Sequence, residues 1–118
     1  MAWWESAREP TERDGSMRQV VFSMFATESY DRITADSDVV SIYVLDELKR
    51  IVVALSEDST QDWLNRWRGF HELPEVRGVL IPTPTGTNYD VMVWWHEVVD
   101  EHGTPRIRIA DISDRYIR

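Results

Sequence analysis

Four side chains suited to RNA chemistry lie close together near the C-terminal end of this chain. Period-two alternation places Trp94 and His96 on one face of a predicted strand, and it places Arg106 and Arg108 on the outer face of the next strand. An imidazole with a pKa near neutrality can move a proton, guanidinium groups can stabilise a phosphate, and an indole ring can stack on a base. The pattern predicts that these four side chains form one surface if the two strands pair.

Three further residues extend this candidate site. Tyr116 follows the last predicted strand and would contribute a hydroxyl group. Arg66 and Arg68 lie on a predicted helix, where they either face solvent or bind phosphate. The sequence therefore predicts catalytic roles for His96, Arg106, Arg108 and Tyr116. It predicts binding roles for Trp94, Arg66 and Arg68.

Noncatalytic interpretations of the same residues remain open. An exposed His96 beside Glu97 is commonly a solvated residue, and Arg106 and Arg108 would pair across strands with Asp90 or Glu97. A tryptophan exposed on a sheet face, in a chain that is acidic overall, favours a protein interface over a nucleic-acid interface. The sequence leaves open whether the protein is an enzyme.

Composition restricts the class of protein. A chain of 118 residues without cysteine is expected to be one domain in a reducing, cytoplasmic setting, with no disulfide and no thiolate metal site. No apolar run reaches the length of a membrane span, so no membrane association is predicted. The three histidines lack metal-ligand spacing and no phosphate-binding glycine loop occurs, so no metal site and no cofactor are predicted.

The net charge of −8 is unevenly distributed. Residues 1–65 hold 13 acids and 6 bases, whereas residues 66–118 hold 8 acids and 7 bases. Proteins that bind nucleic acid usually have the opposite net sign, and acidic surfaces suit partners with basic faces. The charge therefore favours a protein partner, while the C-terminal arginines keep RNA binding open.

The chain is expected to divide into a flexible arm over residues 1–16 and a single α+β domain over residues 17–118. Within that domain, hydrophobic periodicity and turn residues predict a β-α-α-β-β-β order. We expect an antiparallel four-stranded sheet with both helices packed on one face and the other face open. The predicted elements are a strand over residues 19–25, a loop or short helical turn over 26–38, helices over 39–55 and 59–69, and strands over 77–82, 89–99 and 105–112.

This order of elements resembles the RelE/ParE toxin superfamily, whose small domains run strand, two helices and a three-stranded meander. The segments Arg68-Gly-Phe, Val76-Arg-Gly-Val and Tyr89-Asp-Val-Met-Val-Trp-Trp are similar to the family's passage from its second helix into its central strands. The ending from Ile107 to Tyr116 resembles the family's last strand and the short segment after it. The resemblance covers residues 19–118, mainly in topology.

Two functional expectations follow. The resemblance implies a toxin-like component of a toxin–antitoxin module, including metal-independent endoribonucleases, with an antitoxin or a target complex as protein partner. The charge suggests an alternative, a noncatalytic acidic binding protein. Such a protein, an inhibitor, immunity factor or phage-encoded antagonist, would engage a basic surface of a nuclease or nucleic-acid-binding complex.

Overall fold

The computed structural model describes residues 18–36, 38–68, 75–84 and 89–117, so the arm predicted for residues 1–16 lies outside the described residues. The described part forms an α+β domain with two α-helices and one mixed sheet, so the predicted α+β class is confirmed. Across these ranges no helix has both the length and the apolar character needed to cross a membrane. The elements are β1 (Val20–Phe22), α1 (Met24–Ala35), α2 (Val39–Glu57), a short 3-10 helix (Asp62–Leu64), β2 (Trp67–Arg68), β3 (Arg77–Ile81), β4 (Tyr89–Val99) and β5 (Pro105–Ile117).

The sheet has five strands in the order β1-β5-β4-β3-β2, so the prediction of a four-stranded antiparallel sheet was wrong in two respects. The short β2 adds an edge strand to β3, and β1 runs parallel to β5 while the other neighbours are antiparallel. Two helices, not a tight turn, separate β1 from the meander, so its direction is not restricted to antiparallel. The amide of Ile107 donates to the Gln19 carbonyl at 2.9 Å, and the amide of Ser23 donates to the Ile109 carbonyl at 2.9 Å.

Helix α2 confirms the strongest periodic pattern in the chain. Asp38 caps its first turn, because the Asp38 carboxylate accepts from the Ser41 amide at 2.8 Å. Helix α1 forms where the sequence predicts a loop or a short helical turn, and its 12 residues make it longer than that prediction. The segment is polar, but the Ser23 hydroxyl accepts from the Ala26 amide at 3.0 Å and caps the helix. Its inward face buries Ala26, Ser29, Tyr30 and Ile33.

The helix predicted over residues 59–69 does not form. Only the short 3-10 helix occurs there, followed by the two-residue strand β2. Side-chain hydrogen bonds hold this segment in a nonhelical path, because the Asn65 carboxamide donates to the carbonyls of Ser59 and Gln61, both at 2.8 Å. The indole of Trp95 donates to the Leu64 carbonyl at 2.8 Å and ties the segment to the sheet.

Both helices pack on one face of the sheet and form a single apolar core with it. Burying a large aliphatic side chain in such a core contributes about 1.5–3 kcal/mol. The opposite face, which we call the helix-free face, is less open than predicted, since Met92 on that face is only 1% exposed. The helices contribute Ala26, Ile33, Val44, Leu48, Ile51, Val52 and Leu55 to the core, and the sheet contributes Val20, Val79, Ile81, Val91, Val93, Trp95, Ile107, Ile109 and Ile112.

Candidate functional site

A β-bulge in β5 determines which residues reach the helix-free face. Trp94 lies opposite Asp111, but the next residue, Trp95, lies opposite Ile109, so Ala110 is the extra residue of the bulge. The bulge changes the phase of β5, so that Ile109 and Ile112 both face the core although they are three residues apart. Asp111 therefore lies on the helix-free face beside Trp94.

Ser23 ties this bulge to the first helix. The Ser23 hydroxyl donates to the Ala110 carbonyl at 2.6 Å while it accepts the capping bond from the Ala26 amide. Ser23 is buried, at 5% exposure. One buried hydroxyl thus holds together the start of α1 and the irregular point of β5 next to the candidate site.

His96 and Arg108 lie opposite each other on the helix-free face and are in direct contact. An Nη1 atom of Arg108 lies 3.1 Å from Nε2 of His96. A guanidinium can only donate, so this contact is a hydrogen bond when Nε2 of His96 accepts, which requires a neutral imidazole with its proton on Nδ1. Partial burial is the main cause that lowers the pKa of His96 below its ordinary value of 6.5, and Arg108 lowers the pKa further, while Glu75 opposes the shift.

Arg106 lies on the same face of β5, two residues before Arg108 and opposite Val98. Its partner is not His96. Its Nε donates to the Asp100 carboxylate at 2.7 Å, in a contact where both side chains are mostly buried. Asp100 also accepts from the amides of His102 and Thr104, so it organises the β4–β5 turn. These hydrogen bonds hold the pKa of Asp100 below its ordinary value of 3.8, and the bond from the Thr104 amide has the largest effect. The predicted arginine pair is therefore divided between His96 and the turn.

The alternative ion pairs proposed from the sequence do not form. Glu97 binds the Arg18 guanidinium at 2.8 Å. Asp90 is buried and accepts from the amide and the hydroxyl of Thr83, at 3.0 and 3.2 Å. Asp90 therefore stabilises the β3–β4 connection and does not neutralise Arg106 or Arg108.

Trp94 and Trp67 form an aromatic surface, and Gly78 lies between them in the sheet. Gly78 lies opposite both tryptophans in the sheet, and a Cβ atom added there would lie 2.7 Å from the Trp94 ring and 3.0 Å from Cβ of Trp67. Trp67 is 41% exposed. Trp67 lies on the edge strand β2 and not on the helix predicted over residues 59–69.

The remaining predicted site residues lie apart from His96. Arg66 and Arg68 are exposed at the edge of the sheet, with Arg68 opposite Arg77 in β3. The main chain of Tyr116 pairs with Asp90, six residues from His96 along β4. At about 3.3 Å per residue, the main chain of Tyr116 lies about 20 Å from that of His96 along the sheet.

The structure brings together a neutral imidazole, a guanidinium and an aromatic surface on one face. Sequence analysis missed Asp111 and Gly78, although the spacing of Ile107, Ile109 and Ile112 carries the signal of a bulge. Across the described ranges, no cluster of three or more His, Cys, Asp or Glu side chains could hold a metal ion. Comparison of the chain with protein-family models, curated proteins and solved structures found no match.

Proposed function

We propose that this protein is a toxin-like component of a toxin–antitoxin module, with a RelE/ParE-like fold, and that its helix-free face cleaves RNA without a metal ion. The observation that carries the proposal is the 3.1 Å contact between Arg108 and Nε2 of a neutral His96, on the same face as Trp94. A neutral imidazole can accept a proton, and a guanidinium can bind a phosphate in two-pronged fashion.

The proposed reaction uses the 2′-hydroxyl of RNA as nucleophile. A phosphate oxygen is a stronger acceptor than an imidazole, so Arg108 would leave His96 for the phosphate and free Nε2. The 2′-hydroxyl proton moves to Nε2 while the 2′ oxygen bonds to phosphorus and the bond from phosphorus to the 5′ oxygen breaks. The 5′ oxygen takes a proton from water or from the imidazolium, and the products are a 2′,3′-cyclic phosphate and a 5′-hydroxyl.

Topology supports the same proposal. Apart from the short β2, the elements run one strand, two helices and the meander β3-β4-β5, which is the order that the resemblance implies, and both helices lie on one side of the sheet. The helix-free face is then the surface available to a large substrate, and the exposed Trp67 extends it toward the sheet edge. A protein of this type would act in the cytoplasm and would have an antitoxin as its partner.

The distribution of charge favours a second candidate, a noncatalytic acidic protein that binds a basic surface. Two of the cations near the site already have carboxylate partners, because Arg106 binds Asp100 and Arg18 binds Glu97. Residues 24–58, which include both helices, hold 8 acids and 3 bases. This candidate predicts a salt-sensitive protein complex and no cleavage of RNA.

The test is cleavage of a single-stranded RNA, free and in translating ribosomes, by purified protein. Wild type should give 2′,3′-cyclic phosphate ends, His96→Gln should lose about 10²- to 10⁴-fold in rate, and Arg108→Lys should also be impaired because lysine lacks the guanidinium fork. The matched controls are His102→Gln and Arg32→Lys, both at exposed positions away from the site.

The two candidates give different results in this assay. Cleavage that His96→Gln abolishes and His102→Gln preserves would exclude a purely noncatalytic protein. Intact RNA in both settings, together with a complex that dissociates as salt rises, would refute the nuclease and support the acidic binding protein.

A further inference from the structure

A cleft of about 390 Å³ lies between the segment after α2 and the ends of β3 and β4. Its size falls within the range of small-ligand sites, at the lower end. The segment after α2 forms one wall and the ends of β3 and β4 form the other. The lining residues are Ser59, Thr60, Asn65, Glu75, Arg77, Trp95 and Glu97.

The walls of this cleft are held by bonds within the protein. Both N–H groups of the Asn65 carboxamide are engaged by main-chain carbonyls, and the indole N–H of Trp95 is engaged by the Leu64 carbonyl. The amide and the hydroxyl of Thr60 both donate to Asp58, at 3.0 and 2.5 Å. The shape of the cleft is therefore preorganised without a ligand.

The same bonds determine the chemistry that the cleft offers. Because the donors of Asn65, Thr60 and Trp95 are engaged internally, the cleft offers a ligand mainly oxygen acceptors. These include the Glu75 carboxylate and the Glu97 oxygen other than the one that binds Arg18. One N–H of Arg77 also points to an internal acceptor, the Glu75 carbonyl, at 2.7 Å. A cleft rich in acceptors suits a ligand rich in donors.

Within the protein, Glu97 already binds a guanidinium. Its Oε2 binds the Arg18 guanidinium at 2.8 Å, while the Glu97 side chain remains 54% exposed. Arginine presents five donors in a planar fork that matches a carboxylate, and the fork fits this geometry better than a lysine ammonium does. The lining holds two carboxylates and one guanidinium, so it is acidic on balance and suits a basic group.

We infer that this cleft binds the guanidinium of an arginine side chain presented by a basic partner protein. Glu75 and Glu97 bind the guanidinium, and the Asn65 carbonyl oxygen and the hydroxyl of Ser59 accept its remaining N–H groups. The inference does not rest on the proposed RNA cleavage, because the residues that bind the guanidinium differ from those proposed for catalysis, although Glu75 also opposes the lowering of the His96 pKa.

The probe is the peptide acetyl-Gly-Arg-Gly-amide, titrated into ¹⁵N-labelled full-length protein and followed by NMR. The side-chain amide of Asn65 and the indole of Trp95 should shift in a saturable manner, with a dissociation constant on the order of 1 mM for a single exposed side chain. The same peptide with citrulline, which is neutral and nearly isosteric, should not shift them. Raising the salt concentration should weaken the binding of the arginine peptide.

Variants assign the binding to the carboxylates. Glu75→Gln combined with Glu97→Gln should weaken binding by about 5-fold or more, whereas Glu28→Gln, at an exposed position on α1, should leave it unchanged. Preserved dispersion of the amide resonances shows that each variant folds. His96→Gln should also leave peptide binding unchanged, so failure of the RNA proposal and failure of this one are distinguishable.

Three results would overturn the inference. The first is the absence of saturable shifts at Asn65 and Trp95 up to about 20 mM arginine peptide, well above the expected dissociation constant. The second is equal binding of the citrulline peptide. The third is binding of inorganic phosphate in place of the peptide, which would assign the cleft to Arg77.

Discussion

Substitution of Gly78 by alanine tests the arrangement of the aromatic surface on the helix-free face. A Cβ atom at this position would lie 2.7 Å from Cζ3 and 2.9 Å from Cε3 of Trp94, and 3.0 Å from Cβ of Trp67. Ordinary van der Waals contact begins near 3.4 Å, so the Trp94 ring must move by about 0.7 Å or more. Gly78→Ala should therefore displace the stacking surface proposed for RNA.

The expected loss of stability follows from two opposing terms. Overpacking of this kind costs about 1–3 kcal/mol, whereas alanine in a strand gains about 0.5–1 kcal/mol over glycine through the backbone. The free energy of unfolding should therefore fall by about 1 kcal/mol and by no more than about 2.5 kcal/mol, which lowers Tm by about 4 °C and by no more than about 10 °C for a domain of this size. Urea denaturation followed by circular dichroism measures this change directly.

A double-mutant cycle identifies the cause. Trp94→Ala removes the two closest ring atoms and leaves the Trp67 contact, so Gly78→Ala should cost less than half as much in that background. Gly103→Ala is the matched control, because its positive φ of 81° makes alanine strained although no atom lies within 4 Å of the added Cβ. Its cost should be the same with and without Trp94. Equal costs of Gly78→Ala in both backgrounds would refute the proposed packing.

Three further changes have defined outcomes. Ser23→Ala removes the helix cap and the bond to Ala110 and should cost about 1.5–3 kcal/mol in urea denaturation. Trp95→Phe loses the buried indole bond to Leu64 and should cost about 1–3 kcal/mol, with faster amide exchange over residues 59–65. Because the pKa of His96 is lowered on folding, the unfolded chain binds more protons below about pH 6.5, so stability should fall as pH falls through that window, and His96→Gln should remove this dependence.

Each of these outcomes has a result that would contradict it. An effect of Ser23→Ala no larger than that of Ser59→Ala, at a half-buried position in a turn, would argue against the dual bond. Unchanged exchange in Trp95→Phe would mean that the indole does not hold the turn. The stability changes expected from Asp58 and Asp100 lie below their ordinary pKa of 3.8, outside the His96 window, so a pH dependence that survives His96→Gln above pH 5 would refute the assignment.

The sequence predicted the elements whose pattern is decided locally. Helix α2 has a long apolar period and an aspartate cap, and the strands β3, β4 and β5 have clear alternation bounded by turn residues. The division of β4 into a core face with Val93 and Trp95 and a helix-free face with Trp94 and His96 followed from period two alone. The sequence thus predicted which side chains of β4 face the helices.

The remaining features depend on contacts that lie far apart in sequence. Helix α1 is polar overall, and its stability comes from burial of Tyr30 and Ile33 and from a serine that also bonds to Ala110, 87 residues away. The parallel direction of β1 and the bulge at Ala110 are likewise set by pairing with β5. The division of Arg106 and Arg108 between two partners depends on the path of the β4–β5 turn, which strand alternation does not specify.

The pKa of His96, measured by NMR with and without a 2′-deoxy oligonucleotide that cannot be cleaved, tests the central claim most directly. In the free protein, the pKa should lie below its ordinary value of 6.5, and Arg108→Gln should raise it. Binding of the oligonucleotide should also raise the pKa, because the phosphate neutralises Arg108 and takes its hydrogen bond from Nε2. A His96 pKa that does not change on addition of saturating oligonucleotide, or that does not respond to Arg108→Gln, would contradict the proposed site.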